Sequence, residues 1–208
     1  MLDGVTPNPH ATPLIFVGDL EAPVIVILLH DEGSTPQSII ALAERLELAH
    51  IAFITWAAAD ARWFPANALA PLAENRAHLE LALERVHTIV DSLIDVGRSE
   101  KEIAFFGLGQ GASLACEYVY RHPLRWRALI GLCGGLLGEP QTEWAGRAAL
   151  SGMPMLLCGD EHATADRIAE TTAVFRAMGA EVDPMAFVAE ARTLGEAALA
   201  RARGVLSR

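Results

Sequence analysis

The chain carries little that would tie it to a metal, a membrane or a nucleic acid. Only three of its 208 residues are cysteine. Each lies inside an apolar run, so Cys116, Cys133 and Cys158 read as reduced core thiols of a cytoplasmic protein and not as a disulfide framework. They have no metal-type spacing, and no two histidines stand at i,i+4 on a helical pattern, so neither a metal nor a cofactor is expected. Positive charge is scarce. Sixteen Lys and Arg face 26 Asp and Glu, a net charge of −10, which argues against nucleic acid and against an anionic membrane surface. The longest aliphatic run, Val24-Ile25-Val26-Ile27-Leu28-Leu29, is far short of the roughly 20 residues that span a bilayer. The opening stretch MLDGVTPNPHATP lacks the basic and apolar regions of a signal peptide. Repeats, low-complexity tracts and linkers are missing too, so one domain over residues 1–208 is expected.

What the chain does have is a regular alternation of short apolar runs and helical patterns. Residues 24–29, 51–56, 103–106, 128–133 and 153–158 read as buried strands. Val182–Val188 is a weaker strand, and Leu14–Val17 a candidate edge strand. Helical periodicity is clearest from Pro71 to about Val96 and recurs near 36–48, 110–121, 164–178 and 193–206. Pro71 suits a first helical turn, and Gly97 and Gly179 suit C-terminal caps. The pattern predicts an α/β fold with a mostly parallel sheet of about six to seven strands and helices on both faces. In such a sheet the ligand site lies beyond the carboxyl ends of the strands.

One of those ends carries the distinctive motif. In AFFGLGQGASLACEYVYRHP (104–123) a strand runs through Gly107-Leu108-Gly109-Gln110-Gly111 into a helix. The layout is that of a nucleophile elbow, G-x-S-x-G, whose tight strand-to-helix turn needs small residues on both sides of the nucleophile. Gly107 and Gly111 meet that need, but a glycine, Gly109, stands at the serine position. A phosphate loop is a poor reading, because the spacing misses G-x-G-x-x-G and no P-loop lysine follows.

Four blocks in order resemble the phospholipase/carboxylesterase family of α/β-hydrolases, relatives of the acyl-protein thioesterases. ILLHDEGSTPQSII (27–40) resembles the oxyanion-loop segment, RWFPANALAPLAENRAHL (62–79) the Trp-aromatic-Pro block, residues 105–140 the elbow helix and next strand, and 153–182 the acid-loop segment. The resemblance implies an α/β-hydrolase fold without a lid domain, oxyanion-hole-like backbone at Glu32 and Gln110, and a carboxylic ester as substrate class. It also places the Ser-Asp-His triad on Gly109, His162 and Arg192. Gly109 can form no acyl-enzyme. Arg192 stays protonated and cannot act as a base near neutral pH. Asp31 and Glu32, where the family usually has Gly after the histidine, would oppose a developing oxyanion unless both carboxylates turn away.

Several roles follow. A pseudohydrolase would bind a small acyl or carboxylate ligand, or a protein partner, with His30, Asp31, Trp63, Phe64, Cys158 and Asp160 as pocket candidates. The helix N-terminus and Arg192 would attract an anion, and Trp56, Trp63 and Phe64 would form an apolar wall. Alternatively, a rebuilt hydrolase or cofactor-free lyase would use His162 paired with Asp160, His30 paired with Asp31, or Cys158 as nucleophile. A purely structural role, with association as a homodimer, is the third class.

Overall fold

The computed structural model describes residues 12–145, 149–160, 164–187 and 196–207. Every apolar run becomes a strand: β1 (Ile15–Val17), β2 (Val24–Leu29), β3 (Ile51–Thr55), β4 (Ile103–Leu108), β5 (Ala128–Leu132), β6 (Pro154–Asp160) and β7 (Glu181–Phe187). They form one sheet in the order β1-β3-β2-β4-β5-β6-β7. All neighbouring pairs are parallel except β1 against β3, where Ile15 faces Thr55 and Val17 faces Phe53.

The central strands β2, β4 and β5 are apolar throughout because both faces are covered. In β2, Ile25, Ile27 and Leu29 point into one core with α2 (Leu72–Asp95), α3 (Gln110–Arg121) and α4 (Ala165–Ala177). Val24, Val26 and Leu28 point into the other, with α1 (Pro36–Glu44) and α5 (Glu196–Leu206). The expected mostly parallel sheet with helices on both faces is what forms.

Helix ends follow local chemistry. Thr35 caps α1 through a reciprocal box with Ser38, and Pro36 takes the first turn. After α2, Gly97 at φ 92° lets Arg98 N–H reach Leu93 O and its own N–H reach Ile94 O. Gly179, at φ 95°, closes α4 in the same way, with Ala180 N–H on Phe175 O. Pro71 stands one residue outside its helix, as the N-cap. The expected helix 36–48 stops at Glu44, and Glu47 (φ 48°) and His50 (φ 64°) take left-handed backbone beyond it. β6 runs two residues past its expected end, because Gly159 and Asp160 still pair with Ala186 and Phe187 of β7. Among the described residues no helix is long and apolar enough to cross a membrane.

Chain order fixes where a site can form. From β2 the chain moves outward to β3, then crosses back over β2 to lay down β4 and the strands beyond it. The reversal lies between β2 and β4, so the loops leaving these two strands diverge around a crevice at their carboxyl ends. Those loops begin at His30 and Gly109.

Candidate functional site

Gly109 is the hinge between β4 and α3. Its backbone sits at φ 53°, ψ −118°, a conformation that L side chains rarely adopt and glycine takes at little cost. Its N–H donates to Leu132 O at 2.8 Å, and its carbonyl accepts from Ser113 N–H at 3.1 Å. The flanking glycines are demanded by contact. A Cβ on Gly107 would press on Ala112 N at 2.5 Å, and one on Gly111 on His30 O at 2.5 Å. The turn is therefore as tight as the motif requires, with helix and strand backbones nearly touching.

The crevice over this turn is occupied by the protein itself. Asp31 Oδ1 accepts the N–H of Glu32 at 2.7 Å and the N–H of Gln110 at 3.0 Å. One of these donors belongs to the loop after β2 and the other to the first residue of α3. Two backbone N–H groups thus converge on a single carboxylate oxygen at the positive end of a 12-residue helix, a favourable place for an anion. The same carboxylate fills the space above Gly109. A Cβ built there would overlap Asp31 Oδ1 and Cγ and lie 2.6 Å from Oδ2. Of the two acids, which would oppose an oxyanion unless both turned away, only Glu32 turns away: it is exposed, pairs with Arg62 at 3.0 Å and accepts from Gln110 Nε2 at 3.2 Å. Asp31 turns inward, because the N–H pair offers its charge more than water does at the rim.

Gln110 holds the adjoining loop. Its Oε1 accepts from Trp63 N–H at 2.9 Å and Phe64 N–H at 3.4 Å, and its Nε2 donates to Phe64 O at 3.0 Å. Trp63 Nε1–H in turn donates to His30 O at 2.7 Å. His30 is 1% exposed. Its Nε2 accepts from Ala58 N–H at 3.0 Å, so Nδ1 carries the hydrogen and donates to Asp31 O at 2.8 Å. Burial lowers the His30 pKa from its ordinary 6.5, against the opposing pull of the Asp31 carbonyl and charge. The imidazole is a neutral strut between two backbone groups.

The thiols near the crevice are protonated at neutral pH. Cys158 is fully buried, and burial pushes it up to about 11, with Arg201 opposing and Asp183 adding. Cys133, directly after β5, takes left-handed backbone at φ 60°, and its N–H donates to Cys158 O at 2.6 Å. Burial pushes it up to about 12, with Cys158, Asp31 and Asp160 adding to the rise. Asp160 is buried at the end of β6, and its carbonyl accepts from Thr164 N–H at 3.1 Å.

The structure brings Gly109, Asp31, Glu32, Gln110 and His30 together at the crevice, with Cys133 and Asp160 at the ends of the next strands. Phe64 is not a pocket wall: it is completely buried in the core on the α2 face, with its backbone held by Gln110. Trp63 and Trp56 line a separate cavity between the loop after β3 and α2, which neither Gly109 nor Asp31 borders. His162 and Arg192 lie outside the described residues. Among the described residues no group of His, Cys, Asp and Glu could hold a metal ion. Sequence reasoning missed two features: the inward turn of Asp31 and the stapling by Gln110 through its side chain. Nothing in the spacing signals either one, since both depend on which of several polar groups reaches the helix end first.

Comparison with known proteins agrees with this geometry. The phospholipase/carboxylesterase family model matches residues 10–178. No curated protein matches significantly. A phospholipase/carboxylesterase from Dyadobacter fermentans DSM 18053 is similar in structure, with a TM-score of 0.88 at 24% identity over 95% of this chain and 97% of that one. The Bacillus cereus carboxylesterase has a TM-score of 0.77 at 13% identity, over 95% and 94% of the two chains. YahD, solved with malic acid, has a TM-score of 0.77 at 12% identity, over 94% and 98%. At these identities the structural likeness speaks for the α/β-hydrolase fold, and the family match, over most of the sequence, establishes that the chain belongs to the phospholipase/carboxylesterase family.

Proposed function

We propose that this chain is a non-hydrolytic member of its family, a pseudohydrolase that works by binding a small acyl or carboxylate ligand at the crevice over Gly109. One observation carries the reading. The position of an attacking oxygen has no side chain of its own, and Asp31 fills both it and the two N–H groups that would stabilise an oxyanion. Ester hydrolysis by an acyl-enzyme needs an activated nucleophile and free donors aimed at the developing charge. Here an aspartate holds both places, as a bound product carboxylate would.

Two of the substitute catalysts, His30 and Cys158, are poorly placed. His30 has both ring nitrogens committed to backbone. Cys158 is buried and protonated, and a thiol is a weak nucleophile without its thiolate. A ligand carboxylate enters the N–H pair only by displacing Asp31, so the chain carries its own competitor. Malate, the ligand in the YahD structure, is a fitting first probe.

The test is direct. Purified protein is incubated with a fluorophosphonate probe and weighed intact, and p-nitrophenyl acetate turnover is measured in parallel. No covalent adduct and no turnover above background are expected. An adduct mapped to any crevice residue, or ester turnover at ordinary esterase rates, would sink the reading.

A further inference from the structure

The cavity beside the crevice has the makings of a binding site of its own. Its volume is about 110 Å³, and its walls include the indoles of Trp56 and Trp63, Ala58 and Ala82. The two tryptophans are 2% and 5% exposed and meet edge to face, with ring centroids 5.5 Å apart. An engineered apolar cavity of roughly 150 Å³ takes a benzene molecule, and this smaller one sets a single small ring or a short alkyl chain as its upper limit.

Among the described residues, two guanidinium groups, Arg62 and Arg85, and one acid, Asp60, border it. Arg62 already pairs with Glu32 outside the cavity. Arg85 is different. Its Nη2 donates to Thr12 O at 3.0 Å, while its Nε is buried with no acceptor among the described residues. A buried N–H without a partner is rare and costly in a folded protein, and a carboxylate that draws the Arg85 guanidinium toward the cavity would supply the missing acceptor.

We infer that this cavity is a second ligand site, taking a small monocarboxylic acid with its ring or alkyl body against Trp56 and Trp63 and its carboxylate on Arg85. The inference does not depend on whether the crevice over Gly109 hydrolyses anything. The cavity does connect to that crevice: the Trp63 backbone N–H is held by Gln110, and its indole N–H by the His30 carbonyl.

Tryptophan fluorescence reads the site, because two of the four tryptophans line it. Titration with phenylacetate should give a saturable change, with the neutral isostere phenylacetamide at least tenfold weaker. Arg85→Met, which keeps the aliphatic stem, should weaken phenylacetate at least tenfold and leave phenylacetamide unchanged. Acid and amide binding equally, or no saturable change with phenylacetate, would overturn the inference. If Arg85→Met fails to fold by circular dichroism, the acid-to-amide ratio on the parent protein decides alone.

Discussion

The carboxylate of Asp31 occupies the space that a side chain on residue 109 would need. A Cβ on Gly109 would overlap Asp31 Oδ1 and Cγ, while Oδ1 is held in place by the N–H groups of Glu32 and Gln110. The two positions are therefore coupled: a nucleophile at 109 and an aspartate at 31 exclude one another in this arrangement.

Gly109→Ser consequently restores no esterase and also destabilises the fold. The new side chain must displace Asp31 and adopt φ 53°, and overpacking of this kind costs about 1–3 kcal/mol. Adding Asp31→Gly should recover part of that loss. Urea unfolding of both single variants and the double variant gives the cycle, in which a coupling near zero would show that Asp31 moves aside freely. Turnover of p-nitrophenyl acetate should stay at background in all three.

Asp31→Ala should open an anion site. With the aspartate gone, two N–H groups at the start of α3 lose their acceptor, and hydrogen bonds to a charged group contribute about 1.5–3 kcal/mol each. Malate and acetate should raise the thermal midpoint of the variant at concentrations that leave the parent unmoved, following binding to the folded state alone. Equal response in parent and variant would mean that Asp31 does not compete for this position.

Much of the framework was legible from residue order. The apolar runs marked the strands β2 to β6, since a parallel strand buried on both faces cannot hide its composition, and left only weaker signals for the edge strands β1 and β7. Gly107 and Gly111 marked the elbow because a close approach of backbones tolerates nothing larger. The side-chain traffic above the elbow was not legible. Asp31 and Glu32 are adjacent acids with the same chemistry, yet one turns in to the helix end and the other out to Arg62. That choice is made by tertiary contacts between β2, β4 and the 62–65 loop. Phe64 shows the same limit: an aromatic residue in a site loop reads as a wall, but Gln110 binds its backbone and its ring lies in the core.

Gln110 should therefore prove a structural keystone despite its place in the site. Gln110→Ala leaves the Trp63 and Phe64 backbone groups without partners, and stability should fall by about 2 kcal/mol, given about 1–3 kcal/mol for an unsatisfied part-buried group. Gln110→Glu should do worse, because it would set a carboxylate against Phe64 O and the Glu32 carboxylate. Denaturant midpoints of the two variants check the order. A glutamate as stable as the parent would rule out the amide's donor role.

His30 gives the fold an acid-sensitive joint. Its pKa is lowered in the folded state, chiefly by burial, so the unfolded chain binds more protons below the ordinary 6.5. Stability attributable to His30 is then intact above that pH and declines as pH falls below it, until the folded-state pKa is passed. Unfolding free energies at intervals from pH 8 to pH 5 should fall more steeply for the parent than for His30→Gln. The difference between the two cancels the contribution of other buried groups, Glu117 and His122 among them. Parallel curves would assign the acid sensitivity elsewhere.

The cysteines should be inert in the native protein, and Cys133 is the informative one. Burial first, and then the neighbouring Cys158 and the nearby Asp31 and Asp160, push its thiol up to about 12, so very little of it is thiolate near neutral pH. Iodoacetamide at pH 7.5 should label native Cys133 far more slowly than the unfolded chain. Asp31→Asn removes one of the opposing charges and should speed labelling severalfold, while burial keeps it well below the unfolded rate. Burial, Arg201 and Asp183 set the Cys158 thiol, so its rate should not change in that variant. Acceleration at Cys158 as well would mean that Asp31→Asn had loosened the fold. Acceleration confined to Cys133 would show that the aspartate carries its negative charge inside the crevice, where it faces both Gly109 and the end of β5.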